Sequence, residues 1–534
     1  MARYNPLKPG FSSGEISPLL DGRSSSLEQM VTGARYIMNG VPIVEGPVVK
    51  SPGTYDLLAA TGASAGFPFV VSSEAVYDVL LFDGVMKFTT SSAGTRETFG
   101  FVLDDMSAEI ELASPYTAEQ APRVRSVQTG NVAYLTHPEH YPYKLVRVAS
   151  NEFTLEPVVF RGGTAPIGAY DTTSNRIVAN VAGGIGDRRL TFEKTLDPAR
   201  FRPGRILYAK HDITLLQVSD TFGEVFWTID QINPSNNKQL DVTIGTEVGS
   251  GGSTVGAASP TRFKTDVWAF EVFSAATVDG PGRGCNGAFF FENRLVYFGF
   301  ADNPDRFFAS QSDDWESFAL ADNDPDTPDS ADADKAIPGA LVSKQTNIIE
   351  WGVGGERGML FGTASEEFVV SGTDDGVLTP LGTRIRATTE VGSAAALPAI
   401  VNGEVYFIER GGSALRTFAY SLEKDSFRSP DATPLAKHLG DVSFTKMAFQ
   451  MVPHRVLWVL RADGTFACWA INDQQQFYAG CQRQLEGAVV VDFWITRGSQ
   501  MGEQDDLVKL LVDRTVNGVT RRRLEVLAPF WRPA

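Results

Sequence analysis

What most constrains this chain is a recurring two-residue turn, Asn-Gly or Asp-Gly, set between runs of β-branched and aromatic residues. A type I′ hairpin needs positive φ at both central positions, which Asn, Asp and Gly adopt at least cost. "VYDVLLFDGVMKFTT" places Asp83-Gly84 between two strands, and "PAIVNGEVYFIE" does the same with Asn402-Gly403. Asp463-Gly464 and Asn517-Gly518 repeat the pattern, and Gly130 and Gly355 mark weaker versions. Asp83 to Gly130 and Gly355 to Asn402 are each 47 residues, and the next two steps are 61 and 54. Units of about 40–50 residues, each a few antiparallel strands, are the signature of β-propeller blades. A set of unrelated β-meanders is the plainer alternative.

The series is interrupted between Arg161 and Pro281. There, strands such as "VFWTIDQI" and "QLDVTIGTEV" lead to the linker-like "GSGGSTVGAAS". Exposed loops tolerate insertions. The expected fold is therefore mainly β: a discontinuous propeller (56–160 and 282–534), an inserted sandwich- or barrel-like β domain (161–281), and an extended N-terminal arm (1–55). Helix is expected to be sparse, with a short serine-capped one in "SSSLEQMVTGARYIM" and a turn in "DPARF".

Length and composition bound the rest. The 534 residues are 43% hydrophobic, as in a folded soluble protein, and no run approaches the ~18 residues of a membrane span. The start lacks the basic and apolar regions of a signal peptide. Cys285, Cys468 and Cys481 form no disulfide framework or zinc motif, which points to synthesis in a reducing cytoplasm. The formal charge of −17 opposes a general grip on nucleic acid.

No catalytic constellation emerges. "THPEHYPYK" gathers His137, Glu139 and His140, but Pro138 and Pro142 oppose a helical metal motif, and a surface loop is the expectation. "AGGIGD" lacks the ending of a phosphate loop. The acidic run from Asp313 to Asp334 lacks the glycine and terminal glutamate of a calcium loop. Arg521-Arg522-Arg523 sits on a strand, where alternation turns Arg522 away from its neighbours. No catalytic, cofactor or metal residue is assigned, and a non-enzyme is expected.

The opening "FSSGEISPLLDGRSSSLEQM" holds no apolar period of 2 or 3.6. It resembles the start of the nozzle, or tail tubular, proteins of short-tailed bacteriophages. The resemblance is carried by Phe11, Ser12, Gly14, Glu15, Ile16, Ser17, Pro18, Leu20, Gly22 and Arg23, then Gly33, Ala34, Asn39, Pro42, Gly46, Pro52, Gly53 and Thr54. A second similar block contains Asn293, Arg294, Leu295, Gly299, Pro304, Ser310, Asp314 and Phe318. A third runs from "EWGVGGERGMLFGT" through "IERGGSALRTFAYSLEKDSF" to "VLWVLRADGTF". The chain departs from the pattern at Ser24–Met30 and at Lys50-Ser51.

The resemblance implies a structural virion protein made in the host cytoplasm and built into the tail. It implies a homo-oligomeric ring, typically of six, below the tail adaptor protein. The ring carries tail fibres or spikes, and genomic DNA passes through it transiently and without sequence preference. An unpatterned arm takes its order from other surfaces. Phe11, Ile16, Pro18, Leu19 and Arg23 are expected at a subunit or adaptor interface; packing of the arm on its own chain is the alternative. A receptor-binding or glycan-degrading tail protein is the competing function, since propellers also host paired-carboxylate glycosidases.

Overall fold

The computed structural model describes residues 10–23, 28–91, 95–158, 160, 284–301, 303–318, 333–342, 348–372, 377–380, 382–472, 477–497 and 505–530, with separate strands and turns between 177 and 265. The chain is mainly β, organised as many small sheets, and no helix of the described residues is long and apolar enough to cross a membrane.

Among the described residues, seven sheets share one plan: a four-stranded antiparallel order, with one supplementary strand on the first and two parallel strands of the N-terminal arm on the sixth. Sheet 1 uses Ala65–Val70, Val76–Phe82, Val85–Ser91 and Glu111–Ala113. Sheet 2 uses Arg125–Thr129, Val132–His137, His140–Ala149 and Glu152–Pro157. Sheet 3 spans Cys285–Phe291 to Ile337–Ala340, and sheet 4 Ile349–Gly355 to Thr383–Thr389. Sheet 5 spans Ala399–Val401 to Ser426–Arg428, and sheet 6 Phe444–Gln450 to Phe477–Arg483. Sheet 7 takes Ala488–Thr496, Leu507–Val516 and Val519–Leu527 from the end of the chain and Thr54–Ala59 from its front. A separate six-stranded sheet, from Ile177–Ala182 to Arg262–Thr265, falls in sequence between sheets 2 and 3.

Hydrophobic clusters join these sheets in a fixed succession. Phe88 of sheet 1 packs with Leu145 and Phe153 of sheet 2, and Tyr134 of sheet 2 with Tyr297 of sheet 3. Phe307 of sheet 3 meets Phe361 of sheet 4, whose Trp351 meets Phe407 of sheet 5. Tyr406 of sheet 5 packs with Val459 of sheet 6, and Trp458 of sheet 6 with Phe493 of sheet 7. Leu511 of sheet 7 then packs with Leu80 of sheet 1. Burial on both faces explains why strands such as Arg294–Phe300 are buried at every position rather than alternating.

Sheet 7 is where the two ends of this circuit meet. Arg523 forms a forked pair with Asp56, and Thr54 Oγ1 donates to Glu525 at 2.6 Å. Arg522 pairs with Asp513 through two bonds of 2.8 and 2.7 Å, so both arginines are held by carboxylates of their own sheet.

The turns sort by chemistry. Asn402-Gly403 and Asn517-Gly518 have positive φ at both residues, as a type I′ hairpin requires. At Asp83-Gly84 and Asp463-Gly464 only the glycine does, which corrects the reading of those two as type I′. There each aspartate carboxylate accepts backbone N–H groups instead: Ala118 on Asp83 at 3.0 Å, and Thr465 on Asp463 at 3.0 Å. Of the helix expected after Ser24, the described part is a single 3-10 turn, Glu28–Met30, because Gly33–Ala34 is drawn into a strand pairing with the arm; residues 24–27 lie outside the described residues. "GSGGSTVGAAS", "DPARF", most of "AGGIGD" and residues 319–332 of the acidic run lie outside the described residues.

Candidate docking arm and its seat

The arm begins as two residues of strand. Gly14–Glu15 lies between Gly33–Ala34 and Gly480 of sheet 6, parallel to both, and widens that sheet to six strands. Two glycines make this approach feasible. Gly14 has φ +61°, and a Cβ there would stand 2.4 Å from the Gly480 backbone nitrogen. Ile16 N–H donates to the Ala34 carbonyl at 2.8 Å and Ser17 N–H to the Leu435 carbonyl at 2.7 Å. The Ser13 and Thr32 hydroxyls meet at 2.8 Å.

Sequence reasoning groups five arm residues, and the structure separates them. Ile16 is buried within its own chain, its side chain filling the space that a Cβ on Gly33 would need. Phe11 is half-buried and donates its N–H to the Gly46 carbonyl at 2.9 Å. Pro18 and Leu19 point outward on the 3-10 segment Pro18–Arg23, Leu19 with 87% exposure. Arg23 ends that segment, and its side chain lies outside the described residues. Ile16 is thus a contact of the arm with its own chain, and Leu19 is the apolar side chain presented to solvent.

Glu15 is the residue whose role was least legible. Its carboxylate is fully buried, accepts from Gln482 Nε2 at 3.0 Å, and stands 3.9 Å from His438 Nε2. Beyond it, Arg483 donates to the Ser51 hydroxyl and, at 2.7 Å, to the Pro52 carbonyl, while its guanidinium lies over Trp458. Burial brings the Arg483 pKa down to about 10. Sheet 6 therefore grips the N-terminal region twice, once at Glu15 and once at Ser51-Pro52. A cavity of about 450 Å³ adjoins the arm, lined among others by Ser12, Gln29, Asp431, Trp469 and Tyr478.

Cys468 and Cys481, which looked unrelated in sequence, are direct cross-strand partners in sheet 6, both buried and both free thiols. Their separation of 13 residues around one hairpin was the available signal.

The His137–His140 turn is part of a core. His137 Nδ1 accepts the Glu139 N–H at 3.1 Å, and His140 Nε2 meets Gln120 Oε1 at 2.8 Å. The Glu139 carboxylate is taken by Arg123 at 2.8 Å and Gln120 at 2.9 Å, so the three would-be ligands do not converge. Among the described residues, no group of three or more His, Cys, Asp or Glu could hold a metal ion. Burial, with His140 and Arg123 adding to it, lowers the His137 pKa to about 4. A histidine that stays neutral in the fold but protonates near 6.5 when unfolded gives stability that is full above pH 6.5 and lost as pH falls toward 4. About 3 kcal/mol is expected to vanish over that window. Urea unfolding at pH 7 and pH 4.5 should show it, and the loss should shrink in His137→Asn.

The first strands of the sheets are tied to one another by polar groups. Arg125 of sheet 2 donates to the Glu350 carbonyl of sheet 4 at 2.6 Å and to the Ala395 carbonyl, before sheet 5, at 3.2 Å. Asp492 of sheet 7 accepts from Gly66 N of sheet 1 at 2.9 Å and from Lys446 Nζ of sheet 6 at 2.5 Å. Asn286 of sheet 3 donates to the Ile349 carbonyl at 2.8 Å. These contacts hold structure; none of them places an activated nucleophile beside a base.

No family model matches the chain, and no curated protein matches it. Solved structures resemble it weakly. The computationally designed Ika8 protein is 10% identical, with 89% of this chain and 99% of that one covered and a TM-score of 0.36. Saccharomyces cerevisiae Sqt1 is 10% identical, with 89% and 98% covered and a TM-score of 0.38. A candidate 6-phosphogluconolactonase from Bacteroides uniformis is 12% identical, with 65% and 94% covered and a TM-score of 0.29.

Proposed function

We propose that this chain is a structural subunit of a short-tailed phage tail, of the nozzle type. In this reading the seven sheets are the blades of a discontinuous β-propeller, and the six-stranded sheet between sheets 2 and 3 belongs to an inserted β domain. The succession of inter-sheet clusters, with sheet 7 returning to sheet 1, supports the propeller. Copies of the chain form a ring of six on the tail adaptor; the ring is the DNA conduit and a platform for fibres or spikes.

The observation that carries the reading is the arm. The first of the three blocks that resemble the nozzle family, Phe11 to Thr54, is held by sheets 6 and 7 at its described strands while Leu19 stays outside. A segment so firmly seated, ending in an exposed apolar turn, suits presentation to a partner. Two further observations agree. Arg125 reaches from sheet 2 to sheets 4 and 5, so the conduit is assigned to the space between copies rather than within one. Six copies would carry −102 formal charges, which disfavours retention of the duplex as it passes.

Electron microscopy of the purified chain, with and without the tail adaptor, tests this. Sixfold rings with a central channel are expected. Monomers or trimers that ignore the adaptor would overturn it and send the chain to a carbohydrate-cleavage screen.

A further inference from the structure

The outermost strands of the sheets segregate charge. On sheets 1 and 2 these strands are Glu111–Ala113 and Glu152–Pro157, and their charged residues are Glu111, Glu152 and Glu156, all exposed. Asp105 and Glu109 extend this edge beside Met106, an 89% exposed methionine. The cation paired here is Lys87, bonded to Glu109 at 2.9 Å and Glu111 at 2.7 Å.

On sheets 4 and 5 the outermost strands are Thr383–Thr389 and Ser426–Arg428, and their charged residues are Arg384, Arg386 and Arg428, all exposed. These three guanidinium groups are in none of the ion pairs between described residues, whereas Arg514, Arg522 and Arg523 of sheet 7 all are. Lys424 and the 81% exposed Leu422 lie beside them, with Glu390, Glu423 and Asp425 as the flanking carboxylates. A chain of net charge −17 thus keeps, among the described residues, an arginine edge outside any ion pair on sheets 4 and 5 and a glutamate edge on sheets 1 and 2. Sheet 3 separates them on one side of the circuit and sheets 6 and 7 on the other.

Edge arginines also discourage strand-to-strand aggregation, but that role needs no opposite-sign edge elsewhere on the molecule. We propose that the occupant of the arginine edge is a second copy of this chain, presenting its glutamate edge, with Leu422 and Met106 as apolar contacts within the charged rims. The contact joins two different surfaces, so it repeats head to tail and closes into a ring when the rotation between copies permits. Complementary edges fix partner and register, and like-charged edges repel. This inference rests on the ring reading above and specifies its interface.

Two charge-reversed chains test it: Arg384→Glu/Arg386→Glu and Glu152→Arg/Glu156→Arg. Their thermal midpoints should match the parent, because all four side chains are exposed. Sedimentation at low salt is expected to show assembly in the parent and at least about tenfold weaker assembly in each variant alone. An equimolar mixture should assemble again, since each variant keeps one native edge and the two altered edges complement each other. Variants that assemble like the parent would overturn the edge contact and leave the ring standing. Variants that fail alone and also fail when mixed would overturn the head-to-tail pairing. A parent that stays monomeric at every salt concentration, alone and on the adaptor, would overturn both.

Discussion

Lys509→Met is expected to lower folding stability by about 3–5 kcal/mol, the cost of leaving a buried charge without its partner. Lys509 and Asp78 are both fully buried, on the second strands of sheets 7 and 1, and form an ion pair across the seam. The other Asp78 oxygen accepts from Trp494 Nε1 and from the Thr496 hydroxyl, each at 2.8 Å. Three residues of sheet 7 thus satisfy one carboxylate of sheet 1. Removing the ammonium leaves the carboxylate charged in an apolar seam beside Leu80 and Leu511. Burial itself pushes the Lys509 pKa down, against the pull of Asp78, whose carboxylate favours the cation. Asp78→Asn in the Lys509→Met background should recover at least half of the loss, because the amide oxygen still accepts from Trp494 and Thr496. Denaturant unfolding of the parent, both single variants and the double variant measures the coupling. An additive cycle would show that the pair contributes nothing specific.

Gly14→Val is expected to release the arm. The substitution asks a β-branched residue to hold positive φ and sets its Cβ against the Gly480 backbone, which has no side chain to move aside. Strain alone costs about 1–3 kcal/mol. The strand would then leave sheet 6, exposing Ile16 and the Glu15 carboxylate, with about 1.5–3 kcal/mol of apolar burial lost. Proteolysis should therefore cut near residues 10–23 in the variant and not in the parent, while the sheets stay folded. Ring formation should fail with it. A variant that resists proteolysis would mean the arm tolerates displacement of its backbone. One that is cleaved yet still forms rings would remove the arm from assembly.

Much of the local structure was legible. Asn402-Gly403 and Asn517-Gly518 announce hairpins because their conformational demand is written in two adjacent residues. Glu292 and Asn293 make the same turn, both at positive φ, without any glycine, and nothing local distinguishes them. Asp78 and Lys509 each interrupt an apolar strand with one charge, in "VYDVLLF" and "LVKLLV". Those lone opposite charges were a readable hint of a buried pair, although their partnership was not. The return of sheet 7 to sheet 1 was less accessible still, because the cluster that makes it joins Leu80 to Leu511, at opposite ends of the described strands. The arm was read correctly as lacking a period of its own. Its parallel pairing with Gly480 could not be read, since two-residue strands carry no pattern. Nothing in the sequence around Glu15 signals burial, because Gln482 and His438, which stand against its carboxylate, come from the far end of the chain.

The pairing of Thr54–Ala59 with Val519–Leu527 sets a schedule for biosynthesis. Thr54 and Glu525 bond across 471 residues, so the strand translated near the start waits for one translated near the end. At roughly 5–20 residues per second that wait is on the order of half a minute to two minutes. Until then sheet 7 is incomplete, and Leu80 of sheet 1 lacks its Leu511 neighbour. A chain that stops before Val519 leaves Thr54–Ala59 without its strand partner. Closure of the succession of sheets therefore comes last among the described strands, and every earlier contact forms on a chain whose first and seventh sheets are still apart.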